Sequence, residues 1–316
     1  MSMRRAVLFF LLLVHAAFTG AQAFPDRPIT LVCGFAPGAA ADAQLRALAK
    51  AMSRNLAQPV LVENRPGAAG ALAASAIANG PTDGHMLVQV TNSVIRQPFM
   101  TPTPYDPVHS FTYVIGVSAF DFGLVVNASS PWTTFQQFIS FAKQNPAKVT
   151  YGSIGTGSVA HRVMEQIREK VGADWTHVSY RGSAPGQVDL QGGHISALSD
   201  TGWAPLVDAG KLRLLAVYGK ERLKRYPNVP TLTELGLDIS EEAPWGLAAP
   251  RAVPPDRVKV LHDAARRALD DTEFKASLEA FASEVRYLST EQYQAYMAAR
   301  VPVERDVVER YKLRQP

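Results

Sequence analysis

The sequence contains a single cysteine, Cys33, among 316 residues. One cysteine excludes an intrachain disulfide framework and any metal site built from clustered cysteines. The seven histidines form no H-x-x-x-H or H-E-x-x-H pair, so a zinc site is not indicated. Runs of five or more lysines and arginines are also lacking, and the formal charge is only +4. We therefore predict no metal, no cofactor and no nucleic-acid partner.

Long apolar runs are scarce too, and the one at the N-terminus is short. Ala6 to Val14 follows Arg4 and Arg5 and leads to Ala21-Gln22-Ala23. A basic start, a short apolar core and an A-x-A ending are the three parts of a secretory signal. A membrane-spanning helix needs roughly twenty apolar residues, and no later run is long enough. We predict a signal peptide at 1–23, cleaved after Ala23, and an exported product.

The rest of the chain has the composition of a folded protein, with 47% hydrophobic and 19% charged residues. Short apolar runs such as Ile29 to Phe35 alternate with helical spacings such as Asp42 to Leu56. This alternation predicts an α/β fold with helices on both faces of its sheets. By itself it leaves one large sheet, a barrel or two lobes open.

Four other segments interrupt the alternation. Gln97 to Pro107 is rich in proline and is predicted to be a loop, and the pattern from Pro255 onward is nearly all helical. Asp121 to Asn127 and Ser240 to Pro250 have the extended character of segments that cross between two lobes.

Candidate sites lie where a strand leads into a helix, because ligands of α/β sheets bind beyond the carboxyl ends of strands. Helix starts there present unpaired N–H groups and a partial positive charge, which attract anions. Three such turns stand out, at Phe35 to Asp42, Ser153 to His161 and Tyr180 to Ser183. We expect the N–H groups from Gly38 to Ala41 and from Thr156 to Ser158 to face an anionic ligand.

The residues of the second turn also fit two enzymatic interpretations in part. Gly155-x-Gly157-x-x-Ala160 fits a dinucleotide fingerprint with Asp174 as the ribose acid, but an exported protein has no normal supply of NAD. Ser158 and His161 lie within one helical turn, but no convincing carboxylate orients the histidine. An exported α/β hydrolase using Ser158 and His161 remains the alternative function.

Many short motifs, spread over nearly the whole chain after Ala23, resemble one family. They are Phe24-Pro25-Asp26-Arg27-Pro28-Ile29, Phe35-x-Pro37-Gly38 with Asp42, Gln58-Pro59-Val60, Glu63-Asn64-Arg65-Pro66-Gly67-Ala68, Asp83-Gly84, Tyr105-Asp106-Pro107, Gly155-Thr156-Gly157-Ser158 with His161, His177-Val178-Ser179-Tyr180-Arg181-Gly182, Gly210-Lys211-Leu212-Arg213 and Val229-Pro230-Thr231. The set resembles the Bug family, the TctC-like periplasmic receptors of tripartite tricarboxylate transporters.

The resemblance implies a type II periplasmic-binding-protein fold, with two α/β lobes and a ligand cleft between them. We expect lobe 1 to span 24–123 plus 242–316 and lobe 2 to span 124–241. The function implied is binding of a small organic carboxylate in the periplasm, without catalysis. Transporter subunits of the membrane, or a sensor, would recognise the loaded receptor, which we expect to be a monomer.

The residues carried over as ligand-binding belong to the three turns and one strand end. They are Gly38, Ala39, Ala40, Ala41, Thr156, Gly157, Ser158, His161, Tyr180, Arg181, Gly182 and Asp200. One turn departs from the family pattern, which is close to Pro-Pro-Gly-Gly-Ser/Thr-x-Asp. Here it reads Ala36-Pro37-Gly38-Ala39-Ala40-Ala41-Asp42, without a glycine and a hydroxyl. The less polar turn favours a more apolar acid, aromatic acids included.

Overall fold

The computed structural model describes residues 24–314. The predicted signal peptide lies outside the described residues. Within 24–314, no helix is both long and apolar enough to cross a bilayer.

Eleven strands run through the described residues. They are β1 (Ile29–Cys33), β2 (Val60–Asn64), β3 (Met86–Thr91), β4 (Phe111–Ala119), β5 (Gly123–Asn127), β6 (Val149–Ser153), β7 (Trp175–Ser179), β8 (Ala197–Asp200), β9 (Leu212–Val217), β10 (Pro244–Pro250) and β11 (Val285–Leu288).

Ten α-helices accompany them in residues 24–314. They are α1 (Ala40–Leu56), α2 (Ala71–Ala78), α3 (Asn92–Met100), α4 (Phe135–Gln144), α5 (Val159–Val171), α6 (Ser183–Gln191), α7 (Ala204–Asp208), α8 (Pro255–Ala268), α9 (Thr272–Glu279) and α10 (Thr290–Arg310). A short 3₁₀ turn at Ala68–Gly70 precedes α2.

The first lobe is built on a six-stranded sheet of order β11-β4-β10-β3-β1-β2. Strand β1 pairs in parallel with β2 and β3, whereas β10 runs antiparallel to β3 and β4. The core strand β1 has the sequence ITLVC and is almost entirely buried, because helices cover both faces of the sheet.

The second lobe is built on a five-stranded sheet of order β7-β6-β8-β5-β9. Strand β6 pairs in parallel with β7 and β8, and β5 runs antiparallel to β8 and β9. In both lobes the parallel strands lead into helices at one edge of the sheet. That edge therefore collects helix starts.

Two short segments join the lobes, one from β4 to β5 and one from β9 to β10. They are bonded to each other, since Phe120 N–H donates to Ala243 O over 2.9 Å and Tyr218 N–H donates to Phe122 O over 3.0 Å. The two-lobed α/β architecture is thus as predicted. The proposed lobe boundaries stay a prediction; Gly123, placed there in lobe 1, pairs with Asp200 of the second sheet.

The predicted loop from Gln97 to Pro107 is partly wrong, because α3 continues to Met100 with Pro98 inside it. A proline there cannot donate to the carbonyl four residues earlier, which is that of Val94. Tyr105 replaces that donor, since its hydroxyl donates to Val94 O over 2.9 Å. A side chain from the following loop therefore lets the helix run past its proline.

Two strands were also missed. Ser240 to Pro250 was expected to be a lobe crossing, but its second half is β10, the strand between β3 and β4. Val285–Leu288 lies in the stretch expected to be helical and forms the edge strand β11. Short strands flanked by prolines or helices carry little periodic signal of their own.

Candidate functional site

Four helices begin at one cavity between the lobes: α1 and α3 from the first lobe, α5 and α6 from the second. The cavity is narrow, with a volume of about 20 Å³ open to the centre of a water-sized sphere. Its lining consists of Phe35, Ala39, Ala41, Ala69, Thr91, Asn92, Ser93, Phe120, Phe122, Ile154, Ser158, Val159, Ser183, Thr201 and Ala243. Among residues 24–314, then, this lining contains hydroxyls, one amide and apolar groups, but no charged side chain.

The first turn presents a bare helix start to the cavity. The residue before α1 is Ala39, whose side chain has no oxygen to cap the helix. Gly38 N–H donates to Asp42 Oδ2 over 2.9 Å and Ala39 N–H donates to Ala36 O over 3.2 Å. These two expected donors are therefore used inside the protein. The N–H groups of Ala40 and Ala41 have no partner within the helix and remain for a ligand.

Asp42 anchors this turn on the side away from the cavity. Its carboxylate also accepts from Arg46 Nε over 3.0 Å and from Asn64 Nδ2 over 2.7 Å. Burial alone would raise the pKa of Asp42, but the hydrogen bonds from Arg46, Gly38 and Asn64 hold it below its usual value. The carboxylate is thus kept charged and out of the cavity, where it anchors the loop.

The second turn is internally hydrogen-bonded at every N–H that we expected to face the ligand. Thr156 N–H donates to Ser179 Oγ over 3.1 Å and Gly157 N–H to His161 Nδ1 over 3.1 Å. Ser158 N–H donates to Gly155 O over 3.1 Å. That part of the prediction is wrong, because buried backbone N–H groups need partners and these three find theirs in the turn, in α5 and in β7. What faces the cavity here is Ser158 and the start of α5.

Ser158 caps α5, since its Oγ accepts from His161 N–H over 3.2 Å. A serine hydroxyl that accepts in this way still has its own proton to donate. Ser158 is 1% exposed and lines the cavity, so that proton can be given only to a group inside the cavity or to its lining. The side chain is therefore placed to donate to a ligand oxygen.

The ring of His161 is engaged inside the protein and does not donate to a ligand. Burial, with Arg96 and Arg168 nearby, lowers the pKa of His161 to about 4. Its ring stacks on that of His177, with centroids 4.1 Å apart, and burial beside His161 lowers the pKa of His177 to about 4 as well. Because Nδ1 of His161 accepts from Gly157 N–H, it is not a base for Ser158. The geometry for the hydrolase alternative is therefore absent at Ser158 and His161.

The third turn contributes a residue next to the ones predicted. Ser183 lines the cavity, and its hydroxyl donates to Asp200 Oδ1 over 2.6 Å. Gln187 Nε2 donates to the other oxygen, Oδ2, over 2.9 Å. Burial raises the pKa of Asp200, while its hydrogen-bond donors oppose that rise. Asp200 therefore lies behind Ser183 and orients it rather than lining the cavity.

An aromatic wall closes the cavity towards the lobe crossings. Phe120 and Phe122 belong to the first crossing, and Phe35 meets Phe120 edge-on with ring centroids 6.5 Å apart. Phe120 in turn stacks on the buried Trp245, with centroids 5.9 Å apart. A ligand that reaches this wall must present an apolar surface to it.

The predicted residues divide into three groups by position. Ala39, Ala41 and Ser158 line the cavity. Thr156, Tyr180 and Arg181 line a wider and more open cavity at the cleft mouth, with a volume of about 390 Å³ by the same measure. The remaining six, which line neither of these two cavities, are Gly38, Ala40, Gly157, His161, Gly182 and Asp200.

Sequence reasoning missed Thr91, Asn92 and Ser93 at the start of α3. Thr91 caps this helix, since its Oγ1 accepts from Ser93 N–H over 3.3 Å. A Thr-Asn-Ser turn directly after an apolar strand is a helix-start signal that could have been recognised. The proline-rich stretch that follows it in the sequence favoured a loop instead.

Comparison with known proteins supplies the assignment. The tripartite tricarboxylate transporter family receptor pattern matches residues 44–313. The chain belongs to this family.

Similar proteins agree with the assignment. The "UPF0065 protein in gbd 5'region" of Cupriavidus necator is 42% identical over 294 residues, which cover 93% of this chain and 90% of that protein. The structure of the periplasmic binding protein BugD has a TM-score of 0.88 and 25% identity, and covers 93% of this chain and 100% of its own. Rpa4515 of R. palustris with adipate has a TM-score of 0.86 and 29% identity, and covers 92% and 98%.

As a member of the receptor family, the chain is a solute-binding protein and not an enzyme. Members of this family act with transporter components and bind small carboxylates. No cluster of histidine, cysteine, aspartate and glutamate suited to a metal ion occurs in the part of the chain that the structure describes.

Proposed function

We propose that this receptor binds a small organic carboxylate in the closed cleft and presents it to a tripartite tricarboxylate-type transporter or to a sensor. The observation that carries the proposal is the convergence of four helix starts on a cavity lined without charged side chains. Each helix start contributes roughly 0.3–1 kcal/mol towards an anion, and up to about 2 when partly buried. Several helix starts together supply the positive potential for an anion that a cationic side chain would otherwise provide.

The position of the polar groups assigns roles to the two parts of the ligand. The carboxylate meets the N–H group of Ala41 on one side and the Ser158 hydroxyl on the other. The body of the ligand lies against the wall of Phe35, Phe120 and Phe122. A carboxylate with an apolar, flat or slender body fits this arrangement better than a hydroxylated tricarboxylate such as citrate.

Arg181 supports entry of an anion. It is exposed at the cleft mouth beside Thr156 and Tyr180. A cation there raises the local concentration of a negatively charged ligand without contacting it in the closed state.

A thermal-shift screen tests the proposal. We expect benzoate, adipate and succinate to raise the melting temperature, and benzamide and adipamide to raise it less. A ligand at about a hundred times its Kd adds about 2.7 kcal/mol of stability. In a chain of this size each kcal/mol is about 2–4 °C. Shifts with glucose or arginine alone, and none with any acid, would contradict the carboxylate assignment.

We also propose that the receptor is periplasmic and that its mature chain begins at Phe24. The Phe24 ring packs edge-on against His85, with centroids 5.0 Å apart, and Arg257 lies 5.2 Å above it. Asp26 contacts His85 Nε2 over 3.0 Å. These contacts of Phe24 and Asp26 support Phe24 as the first residue of the mature chain. N-terminal sequencing of protein from its native host should find Phe24, whereas Met1 would contradict cleavage.

A further inference from the structure

Five charged side chains, four of them buried and one, Arg300, partly exposed, lie together behind the cavity and form what we call the buried charge cluster. They are Arg96, Arg162, Glu241, Arg300 and Glu304. Arg96 Nε donates to Glu304 Oε2 over 2.7 Å, and Arg300 Nη2 lies 2.5 Å from Glu304 Oε1. Arg162 pairs with Glu241, which Arg300 approaches to 3.7 Å. The side chains of Arg96 and Glu304 are completely buried.

The cluster joins both lobes, the second lobe crossing and α10. Arg96 comes four residues after Asn92 at the start of α3, and Arg162 four residues after Ser158 at the start of α5. Each arginine therefore lies one helical turn, about 5.4 Å, behind a helix start that meets the cavity. The first-lobe Arg96 also donates through Nη1 to Gly157 O in the second-lobe turn.

The charges of the cluster do not balance. Three guanidinium groups face two carboxylates, which leaves an excess of one positive charge. Burial would raise the pKa of Glu304, but Arg96, Arg162 and Arg300 hold it below its usual value, so it stays ionised. An uncompensated buried charge is costly. A carboxylate held at the starts of α3 and α5 would offset it.

We propose that Arg96 is the positioning residue that couples anion binding to lobe closure. Its guanidinium group links Glu304 in α10 to Gly157 O across the cleft. This link exists only when the lobes are together. The excess charge beside it is compensated when a carboxylate occupies the cavity. The anion therefore favours the closed state by more than its direct contacts provide. The inference rests on the proposed carboxylate function.

The test compares a paired replacement with a matched control. Replacing Arg96→Met together with Glu304→Met removes the ion pair and leaves apolar volume, a change that buried pairs often tolerate. It leaves the excess charge of the cluster unchanged and removes the link to Gly157 O. The control, Arg310→Ala, breaks the exposed pair of Arg310 with Glu169, 3.1 Å apart, which also joins α10 to α5.

Closure is measured by the distance between spin labels on Leu61→Cys in β2 and Val188→Cys in α6, both exposed sites on different lobes. Cys33 is buried, and burial raises its pKa to about 12, so it does not compete for the label. The probe is adipate or benzoate, whichever raises the melting temperature of the unaltered protein more. Affinity for that acid is measured by calorimetry, and the corresponding amide serves as the neutral probe.

In the unaltered protein we expect the acid to shorten the label distance and the amide to leave it nearly unchanged. The paired variant should melt cooperatively, bind the acid about tenfold more weakly, the scale of a hydrogen bond to a charged group, and stay open. Arg96→Lys should also bind more weakly, because a single ammonium cannot pair with Glu304 and reach Gly157 O together. Arg310→Ala should close like the unaltered protein.

Three results would overturn the inference while the proposed function stands. They are normal closure in a folded paired variant, equal closure with the amide and the acid, and an equal loss in Arg310→Ala. If no acid of the screen shifts the melting temperature of the unaltered protein, the carboxylate function itself fails and this inference fails with it.

Discussion

The two lobes hold the same kind of turn at the cavity but prepare it in opposite ways. In the first lobe, Ala39 leaves the start of α1 uncapped, and Asp42 fastens the loop from behind. In the second lobe, Ser158 caps α5, and the amides of the turn before it are already hydrogen-bonded within the protein. The first turn offers backbone donors to a ligand and the second offers a hydroxyl. A helix start can thus serve as a ligand site only to the extent that its own sequence leaves it unsatisfied.

The largest expected effect comes from placing a negative charge in the second turn. Ser158→Asp keeps a good helix cap but puts a carboxylate where the ligand anion lies. We expect affinity for the best acid of the screen to fall by more than about 2 kcal/mol, or roughly thirtyfold, because like charges repel strongly in a buried site. Calorimetry measures the loss.

The matched control for this change is Thr134→Asp. Thr134 caps α4 in the same way, with its Oγ1 accepting from Gln137 N–H over 3.2 Å, and it is not among the cavity-lining residues of the described chain. Both variants should melt near the unaltered protein, and only Ser158→Asp should lose affinity. Equal affinity in the two variants would remove the second turn from the site.

The contrast between the turns shows what sequence could and could not predict. The turns at Phe35 to Asp42 and Ser153 to His161 could be predicted because the passage from an apolar strand to a helix is a local sequence pattern. Which amides are free was not predictable, because Thr156 N–H is satisfied by Ser179, a residue from another strand. The continuation of α3 past Pro98 was not predictable for the same kind of reason, since it depends on Tyr105 from a later loop.

The next largest effect is a loss of folding stability at low pH, which should arise from His161 in the second turn. The pKa of His161 is about 4 in the fold, against about 6.5 in an unfolded chain. Between these values the unfolded state binds the proton first, so stability is present above about pH 6.5 and is lost as the pH falls towards 4. At pH 5 the loss is about 2 kcal/mol for this ring.

His161→Gln should therefore lose less stability than the unaltered protein between pH 7 and pH 5, by about 2 kcal/mol. The stacked His177, whose pKa is also about 4, is still present in the variant and continues to make its stability sensitive to low pH. Asp121, whose pKa burial raises to about 6, titrates in both proteins and cancels from the difference. Urea unfolding at the two pH values gives the comparison, with the exposed His109→Gln as control. Identical acid sensitivity of His161→Gln and the unaltered protein would contradict a neutral buried ring.

The smallest effects should come from exchanging the character of the two turns. Ser158→Ala removes the cap of α5 and the hydroxyl, so we expect stability and affinity each to fall by about 1 kcal/mol. Ala39→Ser does the reverse for α1. Its hydroxyl would accept from an N–H in the first turn of the helix, which should stabilise the fold by about 1 kcal/mol.

That same new cap should cost affinity, because it takes an N–H that the ligand uses. We expect Ala39→Ser to raise the melting temperature by about 2–4 °C and to weaken binding of the best acid by about fivefold, the scale of one neutral hydrogen bond. The two quantities move in opposite directions in Ala39→Ser and in the same direction in Ser158→Ala. A stabilised Ala39→Ser that binds the acid as tightly as the unaltered protein would show that the start of α1 gives no amide to the ligand, and the first turn would then only shape the cavity.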